Sequence, residues 1–399
     1  MFTEFKNKYN FLKDEFWQDF ITKNYKYPID KILFSLDQKL KIDHEVLANQ
    51  LKARQIIERK IPSWQNHRKL IFPRQISMEQ CSSEYTALYK SKICNGDSCI
   101  DLTGGFGIDS FFISKSFKNT IHCEKELELQ FIVQHNFKYL NAKVESYLTD
   151  GIEYLKHTSQ SFDLIYIDPS RRNENNTKVV RLNEYSPNIL LHLNLLLEKG
   201  KQILIKVSPL LDIKQAMKQL PNIKEIHVLA LNNECKELLF LIDASSRKKL
   251  TSIICKDLAK DFTFEFNNKQ EQNCKINLSL PLKYIYEPNA SILKAGAFKS
   301  ITLSFKISKL HPNTHLYTSE RFIKNFPGRC FELNTICRLN KKEIQTVIKS
   351  KKANISKRNF PNSVNEIRKK LDLNDGGSDY IFATTLMNEE KRLLICRKC

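Results

Sequence analysis

From residue 98 onward the chain alternates short apolar runs with amphipathic segments, and no other feature narrows the choice of fold as far. Runs at 99–102, 120–123, 144–148, 162–167 and 202–207 predict strands, and the spacing at 108–116, 127–140, 151–156, 185–197 and 211–220 predicts helices. Regular strand–helix alternation builds a doubly wound parallel sheet. The run 162–167 is apolar on both faces, as a central parallel strand requires. Runs at 226–231 and 237–242 follow without an intervening helix, so the short loop 232–236 predicts an antiparallel pair.

The flanking regions read differently. Residues 1–95 are expected to be mostly helical, because Leu33, Leu36, Leu40, Ile42, Val46, Leu47 and Leu51 keep a helical spacing. Residues 245–310 predict a small α+β unit, with strand-like stretches at 262–266 and 301–307 and a helix at 290–298 between them. Residues 311–399 predict helices at 341–350 and 364–371, a turn at Gly376-Gly377, and a hairpin from 380–385 and 392–396. The expected domains are therefore 1–95, 96–244, 245–310 and 311–399.

Charge bears on partners. The 399 residues hold 64 Lys/Arg against 44 Asp/Glu, a net +20. Residues 301–399 alone hold 20 against 9. A surplus of this size points to a polyanion, with nucleic acid first and an anionic membrane surface second. Eleven scattered cysteines, an odd number, suit a reducing cytosol better than a disulfide framework. The N-terminus lacks a basic stretch followed by an apolar run, and the longest apolar stretches, such as 189–197, are too short to span a bilayer. A soluble cytoplasmic protein is expected.

The chemistry concentrates after the strands. Asp101-Leu-Thr-Gly-Gly-Phe-Gly-Ile-Asp109 joins the first strand to its helix. Glycines there let the backbone approach a ligand closely. A pyrophosphate site wants G-x-G-x-x-G; Gly105 and Gly107 fit, but the third position is Ser110, which disfavours a nicotinamide dinucleotide. Instead the chain offers acids. Asp101 and Asp109 flank the turn, and Glu124 follows the second strand, where a carboxylate accepts both ribose hydroxyls. Asp150 follows the third strand, either beside an adenine amino group or as a helix cap. Acids at three successive strand ends suit S-adenosylmethionine, a cationic nucleoside.

The fourth strand runs Ile165-Tyr-Ile-Asp168-Pro169-Ser170-Arg171-Arg172. A carboxylate at the sheet edge and a rigid neighbouring carbonyl accept two hydrogen bonds from an exocyclic NH₂, which orients its lone pair. Lys206 ends the fifth strand on the same edge. It either meets RNA phosphate or the substrate base, or pairs with a sheet-edge carboxylate.

This series resembles the motifs of class I S-adenosylmethionine-dependent methyltransferases over about residues 98–243. Its Asp-Leu-Thr-Gly-Gly opening also resembles bacterial ribosomal RNA guanine-N2 methyltransferases. The resemblance implies a Rossmann-like seven-stranded core. It places Asp101, Thr103, Gly104, Gly105, Gly107, Asp109 and Glu124 at the cofactor, Asp150 near the adenine, and Asp168, Pro169, Ser170 and Arg171 at the methyl acceptor. Amino-methylating families usually read Asp/Asn-Pro-Pro followed by an aromatic residue that stacks on the base. Ser170 and Arg171 stand in those places here. Arg171 or Arg172 either stacks in its stead or makes ordinary salt bridges. Two further stretches, 284–299 (YIYEPNASILKAGAFK) and 354–371 with Gly376-Gly377, resemble a bacterial group of methyltransferases with a ferredoxin-like and a THUMP-like C-terminal domain. That extends the likeness over nearly the whole chain and implies an RNA-binding role.

Metal chemistry is not expected. Cys396 and Cys399 make half a zinc pattern, and Pro312 interrupts the His311–His315 spacing. The basic stretch 341–370 would follow backbone phosphates. The sequence thus reads as a methyltransferase acting on structured RNA, rRNA or tRNA, at a base amino nitrogen such as guanine N2. Two alternatives stay open: methylation of a ribosome-associated protein, and a non-catalytic RNA-binding methyltransferase-like protein.

Overall fold

A computed structural model describes residues 2–36, 42–171, 181–245 and 250–399, with Arg171 described in its backbone alone. Leu40 of the expected N-terminal run and Arg172 of the Asp-Pro loop lie outside the described residues. The chain forms two compact units, residues 1–224 with 239–247, and residues 225–238 with 248–399.

The first unit opens with helices α1 (Thr3–Lys8), α2 (Glu15–Asn24), α3 (Ile29–Ser35), α4 (His44–Lys60), α5 (Gln75–Gln80) and α6 (Glu84–Ile93). The single helical spacing read across 33–51 is divided between α3 and α4. Asp43 starts α4 by accepting from the Val46 amide at 3.0 Å. One face of α4, with Val46, Leu47, Leu51 and Ile57, is buried with Trp64 and Phe72. The same core takes in Phe106, Ile108, Ile132 and Val133. The N-terminal helices are thus packed onto the sheet unit and do not stand apart from it.

The sheet begins with β1 (Gly96–Asp101), β2 (Phe117–Glu124), β3 (Val144–Leu148) and β4 (Phe162–Ile167). A two-residue ladder follows, β5 (Ser170–Arg171) against β6 (Tyr185–Ser186), and then β7 (Gly200–Val207). Helices α7 (Ile108–Ile113), α8 (Leu127–Tyr139), α9 (Gly151–His157), α10 (Ile189–Lys199) and α11 (Ile213–Gln219) alternate with the strands. The pairs β1–β2, β2–β3, β1–β4 and β4–β7 are parallel. The expected helix at 185–197 starts only at Ile189, where Asn188 caps it, and Tyr185–Ser186 is drawn into the ladder instead.

Strands β8 (Ile223–Leu231) and β9 (Glu234–Asp243) each belong partly to both units. Asn232 and Asn233, with φ of 54° and 61°, reverse the chain between them, so the loop is tighter than the expected 232–236. Two consecutive left-handed residues make the two-residue hairpin turn that asparagine tolerates. The order β3-β2-β1-β4-β7-β9-β8 is extended by β10 (Ser252–Asp257) and β11 (Phe262–Phe266). The stretch 245–310 is therefore divided, since β10 pairs in parallel with β8.

The rest of the second unit is a seven-stranded sheet in the order β13-β14-β12-β15-β18-β17-β16. Its strands are β12 (Tyr284–Pro288), β13 (Ser308–His311), β14 (Thr314–Ser319), β15 (Gly328–Cys337), β16 (Asn354–Arg358), β17 (Asp379–Thr385) and β18 (Lys391–Lys398). Helices α12 (Asn268–Asn273), α13 (Ala290–Ala295), α14 (Ser300–Phe305), α15 (Lys341–Val347) and α16 (Val364–Leu371) complete it. The strand expected at 301–307 is α14: Ile301 and Thr302 are buried together and Leu303 is exposed, against strand alternation. Seven residues are too few for periodicity to separate the two readings. Among the described residues no helix is long and apolar enough to cross a membrane.

Candidate active site

β1 has β2 on one side and β4 on the other, both parallel. The loops after β1 and β4 therefore diverge, which opens a crevice at the carboxyl ends of the strands.

The turn after β1 is braced at both ends by Asp101. This buried carboxylate accepts from the Thr103 amide at 3.0 Å and the Ser110 hydroxyl at 2.5 Å. Burial pushes it up to about 7, against the pull of those two donors. A Cβ at Gly104 would lie 2.1 Å from Nε2 of the buried His122, so only glycine fits there. Burial pushes His122 down to about 4, and its Nδ1 meets the Ser146 hydroxyl at 2.9 Å. Gly105 has φ +53°, and the nearest atom to its Cβ position is the Thr103 carbonyl oxygen at 3.8 Å. Its outer side is open. Gly107 has φ +76°, and Phe137 fills its Cβ position at 2.7 Å.

Glu124 ends β2 and holds this turn from the side. Its Oε2 accepts from the Gly105 amide at 3.0 Å and its Oε1 from the Glu126 amide at 2.7 Å. A carboxylate has about four lone-pair sites, so each oxygen retains capacity. Asp150 does cap α9: its Oδ1 accepts from Ile152 and Glu153 amides at 2.9 and 3.2 Å. Its Oδ2 takes part in neither bond, and the residue is exposed.

Asp109, the other acid expected at the cofactor, lies in the first turn of α7. It is buried, with Oδ1 at 2.9 Å from Lys90 Nζ and Oδ2 accepting from the Ser82 hydroxyl at 2.7 Å and the Tyr166 hydroxyl at 2.6 Å. Burial alone would raise it, but Lys90 and Lys206 hold it at about 2. Protein groups engage both oxygens, so Asp109 is the hub of a buried network.

The acceptor loop is tied to the glycine turn by one bond, from the Asp168 amide to the Thr103 hydroxyl at 2.6 Å. Asp168 Oδ2 forms an ion pair with Lys206, so the sheet-edge pairing weighed for that lysine is the one found. Pro169 is buried. Ser170 is exposed, and its hydroxyl meets the Ser186 carbonyl at 3.3 Å within the β5–β6 ladder. The sequence reading missed Ser82, Lys90, Tyr166 and His122. A lysine on a helix and a tyrosine in a strand carry no local mark of such a role.

A crystal structure of a candidate methyltransferase from Porphyromonas gingivalis W83 is similar to this chain at 31% identity and a TM-score of 0.84, covering 96% of this chain and 97% of that one. Family models match a ferredoxin-like domain at residues 284–327 and a THUMP domain-like segment at 328–398. SMU.1697c of Streptococcus mutans, solved with SAH, matches 43% of this chain and 99% of its own at 15% identity and a TM-score of 0.30. An rRNA methylase of Streptococcus thermophilus matches 43% and 98% at 12% identity and a TM-score of 0.29. No protein of curated function matches. The fold is that of a class I methyltransferase. The chain belongs to the family of S-adenosylmethionine-dependent methyltransferases that carry a ferredoxin-like and a THUMP-like domain.

The residues present fit that cofactor. The open side of Gly105 gives a nucleoside close access to backbone, and Glu124 keeps acceptor capacity beside it. Among the described residues no cluster of His, Cys, Asp or Glu could hold a metal ion.

Proposed function

We propose that this chain methylates an amino nitrogen of a base in structured RNA, rRNA or tRNA, with guanine N2 as the type of acceptor. The observation that carries the reading is Asp168, about one-third exposed at the crevice, with Oδ2 engaged by Lys206 and Oδ1 outside that pair. Gly105 and Glu124 would hold the cofactor, on a turn that the buried Asp101 braces from within, with Asp150 Oδ2 toward the adenine. When bound, S-adenosylmethionine supplies an electrophilic methyl group. Asp168 Oδ1 and the Pro169 carbonyl accept the two N–H bonds of an NH₂ group and aim its lone pair, which is catalysis by positioning. Asp168 Oδ1 then takes the proton that the methylated nitrogen releases. The net charge of +20 and the THUMP-like segment support RNA as the polyanion.

The test uses tritium-labelled S-adenosylmethionine with total RNA and ribosomes from a strain lacking the gene. RNase-sensitive label is the expected result, whereas label found only in protease-sensitive material moves the substrate to a protein. Asp168→Ala is expected to lose at least about 100-fold in turnover while binding cofactor normally. Normal turnover in that variant removes Asp168 from the acceptor site.

A further inference from the structure

We propose that Lys206 is a positioning residue for methyl transfer, held in place by a buried chain of charge that begins in the N-terminal helices. The proposal rests on Asp168 being the acceptor-site carboxylate. The chain runs Lys90, Asp109, Lys206, Asp168, with alternating sign. Side-chain exposure rises along it from 0% to 9%, 12% and 35%. Its members come from α6, the first turn of α7, the end of β7 and the residue after β4. Lys90 lies 2.9 Å from Asp109, and Lys206 lies 3.9 Å from Asp109 and is ion-paired with Asp168.

Two hydroxyls fix the joints. Ser82 Oγ donates to Asp109 Oδ2 at 2.7 Å and accepts from Lys90 at 2.9 Å and Lys206 at 3.2 Å. Tyr166 donates to the same Asp109 oxygen at 2.6 Å. Tyr166 stands two residues before Asp168, and strand alternation puts both side chains on one face of β4. The tyrosine thus anchors the inner end of the network on the face that carries Asp168 at the outer end.

Stability alone does not account for this arrangement. Buried ion pairs are often matched or bettered by apolar residues of similar volume. Here two nearly dry ammonium groups are committed to a line that ends in one partly exposed carboxylate. What the line does is fix the Asp168 rotamer through Oδ2 and leave Oδ1 as the oxygen that faces an acceptor amine. Ser82 and Lys90 make the N-terminal helical region part of the acceptor site.

The test is a double-mutant cycle in the tritium assay, with S-adenosylhomocysteine affinity measured by calorimetry on every variant. Lys206→Met is expected to lower kcat about 100-fold, the scale of a misplacement of about 1 Å, with KM for RNA and cofactor affinity unchanged. In an Asp168→Asn background the same change is expected to cost less than about twofold, because Lys206 acts through that carboxylate. Ser82→Ala, a milder change that leaves all three ion pairs in place, is expected to lower kcat about tenfold and keeps the test open if Lys206→Met does not fold. Unchanged kcat in Ser82→Ala and in any folded Lys206 variant overturns the proposal, as does a full additive loss in the Asp168→Asn background. Normal turnover in Asp168→Ala sinks the acceptor-site reading itself, whereas loss there beside an unaffected Lys206→Met sinks this inference alone.

Discussion

The two ends of the glycine turn carry the same side chain in nearly the same degree of burial, and they behave in opposite ways. Asp101, at the end of β1, meets only neutral donors, the Thr103 amide and the Ser110 hydroxyl, and burial lifts it to about 7. Asp109, where α7 begins, is flanked by the ammonium groups of Lys90 and Lys206, which outweigh burial and bring it to about 2. Burial pushes both the same way, and the neighbours decide the outcome. The first carboxylate is poised to hold or release a proton near neutrality. The second is a fixed anion, suited to ordering other groups and not to answering a ligand.

The largest effect is expected where the fixed anion is removed. Asp109→Asn leaves the buried Lys90 without its counter-ion and Lys206 with Asp168 alone, and should cost about 3–5 kcal/mol, read as a shift of the urea midpoint. A loss under about 1 kcal/mol would mean that the ammonium groups find water, and the contrast between the two ends would collapse. A smaller effect belongs to the other end. Ser110→Ala takes one of the two donors from the buried Asp101 and should cost about 1–3 kcal/mol in the same measurement.

The finest test is the dependence on pH. Asp101 has its folded pKa above its unfolded value of about 3.9, so its contribution is fully present below about pH 4 and is lost as pH rises through about 7. Relative to Asp101→Asn, the wild type should lose stability across that window, by at most about 1.4 kcal/mol per pH unit, and run parallel to the variant above it. Asp109 has the reverse sign: its contribution is present above about pH 4 and is lost as pH falls toward 2. Parallel curves for wild type and Asp101→Asn between pH 4 and 7 would show that the two ends do not differ in this way.

Much of the large sheet was legible because its strands are local, apolar and separated by helices long enough to show their period. The strand ends mark the crevice, so the turn at Gly104–Gly107 and the Asp168 loop could be placed from residue type alone. Two elements misled. The stretch 301–307 is too short to distinguish strand from helix, and the apolar run after 185 hid a start at Ile189. The buried network was not legible at all. Ser82 meets Asp109 across 27 positions, Tyr166 meets it across 57, and Lys206 meets Ser82 across 124. No local pattern announces contacts of that reach. For the same reason the N-terminal region read as a separate helical stretch, although its apolar face and the core of α7 and α8 are one.

The two units exchange chain at residues 224–225, 238–239 and 247–248, inside β8, inside β9 and just beyond β9. A single break in the gene at any of these points hands one fragment a length of strand that the other needs. Neither unit can therefore be cut out as one continuous stretch of chain.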